Sequence, residues 1–311
     1  MKIAVLGTGG VGGYYGGLLA KQGHEVSFIA RGAHLEAIRR DGLQIRSVHG
    51  DFSIQPARAF ADPAQIGPVD LVLFCTKTYD TERAAESIRP LITQQTTILS
   101  FQNGVDSAER IGAILGMSHL MGAATWISSA IEAPGVIRQV SAFRRIVFGE
   151  LDGSISPRAK SISELFSPTG ITVEISSEIV KVLWTKFLFI AAASGVGSLT
   201  RLPMGEYRSV PETRRVLTSL MGEIGAVARA QNIILDTDVV EKTLAFIDAS
   251  APTIVPSMQR DFETGHISEL EAVIGVICRK GRELGVPTPI ADLTYAILLP
   301  VEQKARQKQT G

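Results

Sequence analysis

Cysteine is nearly absent. Cys75 and Cys278 are the only two in 311 residues and have no metal-ligand spacing, so a reduced compartment is the simplest setting. Net charge is absent as well: 31 lysines and arginines balance 31 aspartates and glutamates. That balance argues against a broad basic surface for nucleic acid or anionic lipid, and neither partner is expected. The five histidines, at 24, 34, 49, 119 and 266, form no recognisable ligand set, so no metal site is expected. Long apolar runs are missing too. The most apolar later run, Phe187 to Ala193, covers seven residues, against the ~20 needed to cross a membrane. The opening "MKIAVLGTGGVGGYYGGLLA" is basic at its start and rich in small residues, like a leader peptide. Its seven glycines make a poor hydrophobic segment, so a strand and a loop are expected there, in a cytoplasmic protein. No internal repeat or low-complexity segment is visible.

What is present is the composition of a well-packed chain, 45% hydrophobic and 20% charged, long enough for two domains of about 150 residues. The first half alternates β-branched runs with amphipathic segments. Residues 2–7, 25–30, 69–76 and 96–101 read as strands, and 34–42 and 81–91 as helices. The strands are almost continuously apolar, the pattern of a parallel sheet covered by helices on both faces. Further β-prone pieces at 119–128, 136–140 and 146–149 are expected to extend that sheet. From Ile179 onward helical patterns dominate, at 179–199, 209–231, 238–249, 267–284 and 289–299. In the fourth, Ile267, Leu270, Val273, Ile274 and Ile277 recur at steps of three and four. The expected division is 1–172 for an α/β domain and 173–311 for a helical one. The polar tail "EQKARQKQTG" is expected to fray.

"AVLGTGGVGGYYGG" places Gly7, Gly9 and Gly12 in a G-x-G-x-x-G pattern between the first strand and a helix. Gly7 allows the tight turn, Gly9 lets backbone approach a pyrophosphate, and Gly12 lets helix and strand pack closely. The loop, with Thr8, Gly10 and Val11 between its glycines, is the expected dinucleotide site, the helix start supplying amide donors. An NAD-preferring site would carry an acid at the end of the second strand. Here "FIARGAH" carries Arg31, which suits a 2′-phosphate, so NADPH/NADP+ is the expected cofactor. Two later strands end in "CTKTYD" and "FQNG", bringing Lys77 and Asn103 to the cofactor edge.

"WTKFLFIAAASGVGSLTR" sets Lys186 at the head of an apolar run. A lysine there must snorkel to water, pair with a buried acid, or face a polar cavity. Together with "GTGGVGG", "ARG", "CTKTYD", "FQNG", "SMQRDFETGHISELE" and "GRELGVPTPI", in this order along nearly the whole chain, it resembles the ketopantoate reductase (2-dehydropantoate 2-reductase) family. The resemblance implies a Rossmann-type domain followed by an all-α domain like the 6-phosphogluconate dehydrogenase C-terminal domain. It also implies NADPH-dependent reduction of ketopantoate to (R)-pantoate in pantothenate synthesis.

By the same resemblance Lys186 is the catalytic lysine, Glu269 the active-site glutamate and Ser257 a substrate-binding serine. Lys77 and Asn103 contact the cofactor, Asn103 also reaching the substrate, and Arg31 binds the 2′-phosphate. Asparagines expected four and eight residues after the lysine are Ile190 and Ser194 here. Serine keeps one hydrogen bond to substrate and isoleucine keeps none. Two other readings stay open: a reductase of another small keto acid with the same architecture, and a non-catalytic NADP-binding regulatory protein. The resemblance also makes a homodimer an expectation.

Overall fold

The computed structural model describes residues 1–310, with side chains through Lys308. The chain falls into two compact units. The first is Met1–Gln102 with Ser107–Ile179, and the second is Asn103–Asp106 with the chain from Val180 onward.

The first unit contains strands β1 (Lys2–Leu6), β2 (Glu25–Ile29), β3 (Leu43–Ser47), β4 (Phe52–Ile54), β5 (Arg58–Phe60), β6 (Leu71–Phe74), β7 (Thr97–Ser100), β8 (Leu120–Trp126), β9 (Ser129–Ala133), β10 (Val136–Gln139), β11 (Arg145–Gly149) and β12 (Thr172–Ile175). Its helices are α1 (Gly10–Lys21), α2 (Gly32–Asp41), α3 (Thr81–Ser87), α4 (Ser107–Leu115) and α5 (Pro157–Phe166). The main sheet runs β12-β11-β8-β7-β6-β1-β2-β5, parallel from β8 to β5, with β11 antiparallel to β8. Successive side chains of a strand point to opposite faces. Accordingly Ile3, Val5, Leu71, Leu73 and Leu99 enter one core, while Ala4, Leu6, Val72, Phe74 and Ile98 enter another. Two buried faces explain why these strands read as unbroken apolar runs.

The piece at 136–140 does not extend this sheet. It forms β10 of a second sheet, ordered β4-β3-β10-β9, and lies parallel to β3. Ile45 and Ile137 are buried while Gln44, Arg46 and Arg138 face solvent, so this sheet is apolar on one side only. Its apolar side covers α1. A Cβ on Gly13 would lie 2.7 Å from Ile137, and one on Gly16 2.5 Å from Val5 of the main sheet. The glycines of α1 let it lie closely against both sheets.

The second unit is helical: α6 (Ile179–Thr200), α7 (Met204–Tyr207), α8 (Pro211–Ala230), α9 (Val239–Ala249), α10 (Ser257–Glu263), α11 (Val276–Leu284) and α12 (Pro289–Thr310). α6 is 22 residues long with a mean hydropathy of 1.6 in its most apolar window, enough by length and composition to cross a membrane. Its apolarity has another physical source here. Trp184, Phe187, Leu188, Ala191, Ala192, Ala193 and Val196 all lie in the core of this unit. A helix buried on most sides is apolar nearly all round.

Three further expectations are corrected. The division falls at Ile179, not at 172, because β12 pairs with β11 and so belongs to the first sheet. The fourth helical pattern begins later than 267 and opens as a π-helical turn over Glu271–Gly275 before continuing as α11. The polar tail is helical to Thr310, with Glu302 and Ala305 buried.

Candidate functional site

The glycine loop of the first unit is fixed by its own backbone. Gly7 adopts φ +92°, the region open chiefly to glycine. The amide and hydroxyl of Thr8 both donate to the carbonyl of Ile29, at 3.1 and 3.0 Å, which ties the loop to the end of β2. His34 adds a second tie that the sequence reading did not single out. The amide of Gly135 donates to its Nδ1 at 3.0 Å, so the ring proton sits on Nε2 and donates to the carbonyl of Thr8 at 2.8 Å. Burial holds the His34 pKa below its ordinary value, in keeping with that neutral ring.

Gly9 and Gly12 are glycines for different reasons. A Cβ on Gly12 would fall 2.3 Å from the Gly7 carbonyl oxygen and 2.9 Å from Val5. A Cβ on Gly9 would meet nothing within 4 Å, so internal packing does not require that glycine. It leaves the start of α1 open to a ligand, which is what a pyrophosphate held on backbone amides needs. Gly12→Ala should therefore lower the stability of this unit by about 1–3 kcal/mol, since backbone must move to admit the methyl group. Gly9→Ala should leave stability within about 0.5 kcal/mol and still weaken dinucleotide binding. Denaturant unfolding and cofactor titration of the two variants check both halves.

Gly10 and Val11 continue the loop into α1, where Gly10 packs on the backbone of Ser129 and Val11 on the core. Arg31 stands at the N-terminal cap of α2 with its side chain 60% exposed. Its NH1 lies 3.4 Å from Asp80, whose other oxygen takes a 2.6 Å bond from Arg83. Lys77 is half-buried and precedes the short turn Thr78–Asp80. The role of Asp80 was not anticipated, although it ends the "CTKTYD" run.

In the second unit the structure brings together Asn103, Lys186 and Glu269. Asn103 follows β7 in the chain but packs with this unit, and its Nδ2 lies 3.4 Å from Glu269 Oε2. Glu269 is buried and stands where the helix begins, its carbonyl accepting from Ala272 and Val273 at 3.1 and 3.0 Å. A helix start attracts a negatively charged side chain. Lys186, two turns into α6, has its pKa lowered to about 8: burial disfavours its charge, and Glu269 partly restores it. The segment carrying Asn103 is clamped in place. Gly104 (φ +100°) lies against the Ala272 carbonyl, and Arg279 donates to Asp106 at 2.7 Å.

The other expected residues lie on α6 and α10. Ser194 is buried on α6, about 12 Å along the axis from Lys186 by helical rise. Ile190 lies half-buried between them. Ser257 is half-buried at the first position of α10.

Two family models together match most of this chain. "Ketopantoate reductase PanE/ApbA" covers residues 3–153, and its C-terminal counterpart covers 178–302. The chain is 33% identical over 298 residues to a Bacillus subtilis protein named uncharacterized oxidoreductase YkpB, covering 96% of this chain and 98% of that one. It is 27% identical to the 2-dehydropantoate 2-reductase of a Nostoc species, over 99% and 97% of the two chains. The crystal structure of a PanE/ApbA family ketopantoate reductase from Ralstonia eutropha JMP134 superposes with a TM-score of 0.91 at 31% identity, over 98% of this chain and all of that one. A glycine loop built for a dinucleotide, a lysine–glutamate pair in a helical unit, and likeness along both units lead to one conclusion: this chain belongs to the PanE/ApbA ketopantoate reductase family, oxidoreductases that use a nicotinamide nucleotide.

Proposed function

We propose that the protein is an NADPH-dependent 2-dehydropantoate 2-reductase, converting ketopantoate to (R)-pantoate. The observation that carries the reading is that Asn103 and Lys186, distant in sequence from each other and from Glu269, both reach the buried Glu269 carboxylate. The glycine loop, Arg31 and Lys77 would hold the cofactor, and the open approach at Gly9 fits such a group. When bound, that cofactor supplies the hydride.

The protein's own residues handle charge and protons. Negative charge grows on the carbonyl oxygen as the keto group is reduced. A protonated Lys186 aimed at that oxygen stabilises the charge and then donates the proton from Nζ. Glu269 favours the charged form of Lys186 and offers an acceptor to a substrate hydroxyl. Asn103, whose amide already reaches Glu269, orients the bound groups. Ser257 is the donor for the substrate carboxylate.

Ile190 favours a second reading, reduction of another small keto acid, since it offers no hydrogen bond where an asparagine is expected. Ketopantoate carries an apolar gem-dimethyl group that an apolar wall accommodates. Steady-state assays with ketopantoate, 2-ketoisovalerate and acetolactate at saturating NADPH should therefore give ketopantoate the highest kcat/KM. Another substrate in first place would make the second reading the correct one. NADPH binding with no turnover of any keto acid would support a regulatory protein.

A further inference from the structure

Glu302 is a carboxylate with only 2% of its surface exposed, and the chemistry above does not use it. Its Oε2 accepts two hydrogen bonds from Ser268, at 2.9 Å from the amide and 2.6 Å from the hydroxyl. Ser268 is fully buried, and its Oγ accepts in turn from the amide of Leu270 at 3.2 Å. Arg306, one turn along α12, lies 2.8 Å from the other carboxylate oxygen. With Arg306 42% exposed and, among the described residues, no well-directed hydrogen bond reaching that second oxygen, this ion pair adds little net stability. What it does supply is direction, since both donors of Ser268 must point at one oxygen.

The residue so held is the one before Glu269, and the amide tied by Ser268 Oγ belongs to the one after it. Both neighbours of the active-site glutamate are thus fixed by one network that originates in α12. On the opposite side, Arg279–Asp106 and the contact of Gly104 with Ala272 fix the segment that carries Asn103.

We propose that Glu302 is a positioning residue for the reaction: through Ser268 it sets the entry into the π-helical turn and so holds the Glu269 carboxylate toward Asn103 and Lys186. The inference rests on the reading of Lys186 and Glu269 as the reacting pair. Other charged groups on the packed elements have partners of their own. The hydroxyl of Tyr295 donates to Glu271, Arg279 pairs with Asp106, and Arg306 with Glu302.

The test compares Glu302→Ala, Glu302→Gln, Ser268→Ala and Ser268→Thr in the full chain. Measured for each are kcat, KM for ketopantoate, NADPH affinity, thermal unfolding and the pH profile of kcat. Misplacing a reacting group by a fraction of an ångström to an ångström costs up to about a hundredfold, so E302A should lower kcat by about 10- to 100-fold. NADPH affinity should change by no more than about twofold, because the glycine loop lies in the other unit. E302Q keeps an oxygen that accepts from Ser268 and should recover part of the loss. The alkaline fall in kcat, expected near pH 8 in the wild type, should move to lower pH in E302A, since a displaced Glu269 no longer favours the charged lysine. If E302A does not fold, S268A should show the same displacement in milder form, and S268T, which keeps the hydroxyl, should restore the wild-type profile. An unmoved alkaline limb in E302A and S268A, with activity lost only in proportion to the unfolded fraction, overturns the proposal while K186A remains inactive. A K186A that still transfers hydride normally overturns the catalytic reading, and this proposal with it.

Discussion

Lys186→Ala should lower kcat by about 10²–10⁴ while leaving NADPH affinity nearly unchanged. The substitution removes the donor to the developing oxyanion and the proton source together, and the groups expected to hold the cofactor phosphates are in the other unit. Lys186→Arg keeps a charge, but a guanidinium does not give up its proton near neutral pH and has a different shape, so it should remain strongly impaired. In the wild type the reductive kcat should fall as pH rises through about 8, where Lys186 loses its proton. The same group has a stability signature of opposite sense. Burial depresses its folded pKa from 10.5 to about 8, so between those values the unfolded chain binds more protons and stability rises with pH. Below pH 8 the charged lysine is a standing cost, at most about 3 kcal/mol and less in proportion to its partial exposure. Lys186→Met should therefore be inactive and yet slightly more stable than wild type at pH 7. Single-turnover hydride transfer beside thermal unfolding separates these effects. Near-normal transfer in K186A, or activity lost only as the protein unfolds, would return Lys186 to a snorkelling lysine.

The sequence disclosed what depends on local pattern. β1, β2, β6 and β7 were legible because residues buried on two faces leave an unbroken apolar run, and α8 and α9 because one apolar face recurs at helical spacing. The second sheet was not, since its three- to five-residue strands carry too few alternations, and its identity depends on β10 lying beside β3, with Val136 against Gln44, ninety-two residues earlier in the chain. The π-helical turn left no trace in periodicity, because one extra residue in a turn keeps Leu270, Val273, Ile274 and Ile277 apolar in either register. The tail was misread for a related reason. Nine of the ten residues in "EQKARQKQTG" are polar or glycine, yet Glu302 and Ala305 are spaced to bury one stripe, and a buried glutamate is recognisable only once Ser268 and Arg306 are seen around it. The site residues came from motif and resemblance. Their convergence on Glu269 came only from the structure, since Asn103, Lys186 and Glu269 sit on three separate segments.

Arg31→Ala should weaken NADPH binding by about 2–3 kcal/mol and NADH binding much less. The expectation starts from Arg31 at the end of β2, where a diol-binding acid is missing, and the structure adds a competitor. Asp80 lies 3.4 Å from Arg31 and is also held by Arg83 at 2.6 Å. An exposed pair of that length is worth no more than about 1 kcal/mol, whereas a charge-assisted bond to a phosphate is worth about twice that or more. The phosphate should therefore win, with Arg31 exchanging Asp80 for the ligand and Arg83 keeping Asp80 in place. Two consequences separate this from a merely solvated arginine. Asp80→Asn should raise NADPH affinity modestly, because Arg31 no longer has to leave a carboxylate. Raising the salt concentration should weaken NADPH more steeply in wild type than in R31A, because the contact is between charges near the surface. Titrating both cofactors against wild type, R31A and D80N at two ionic strengths settles the assignment. Equal losses for NADPH and NADH in R31A would mean that Arg31 supports the loop and does not read the 2′-phosphate.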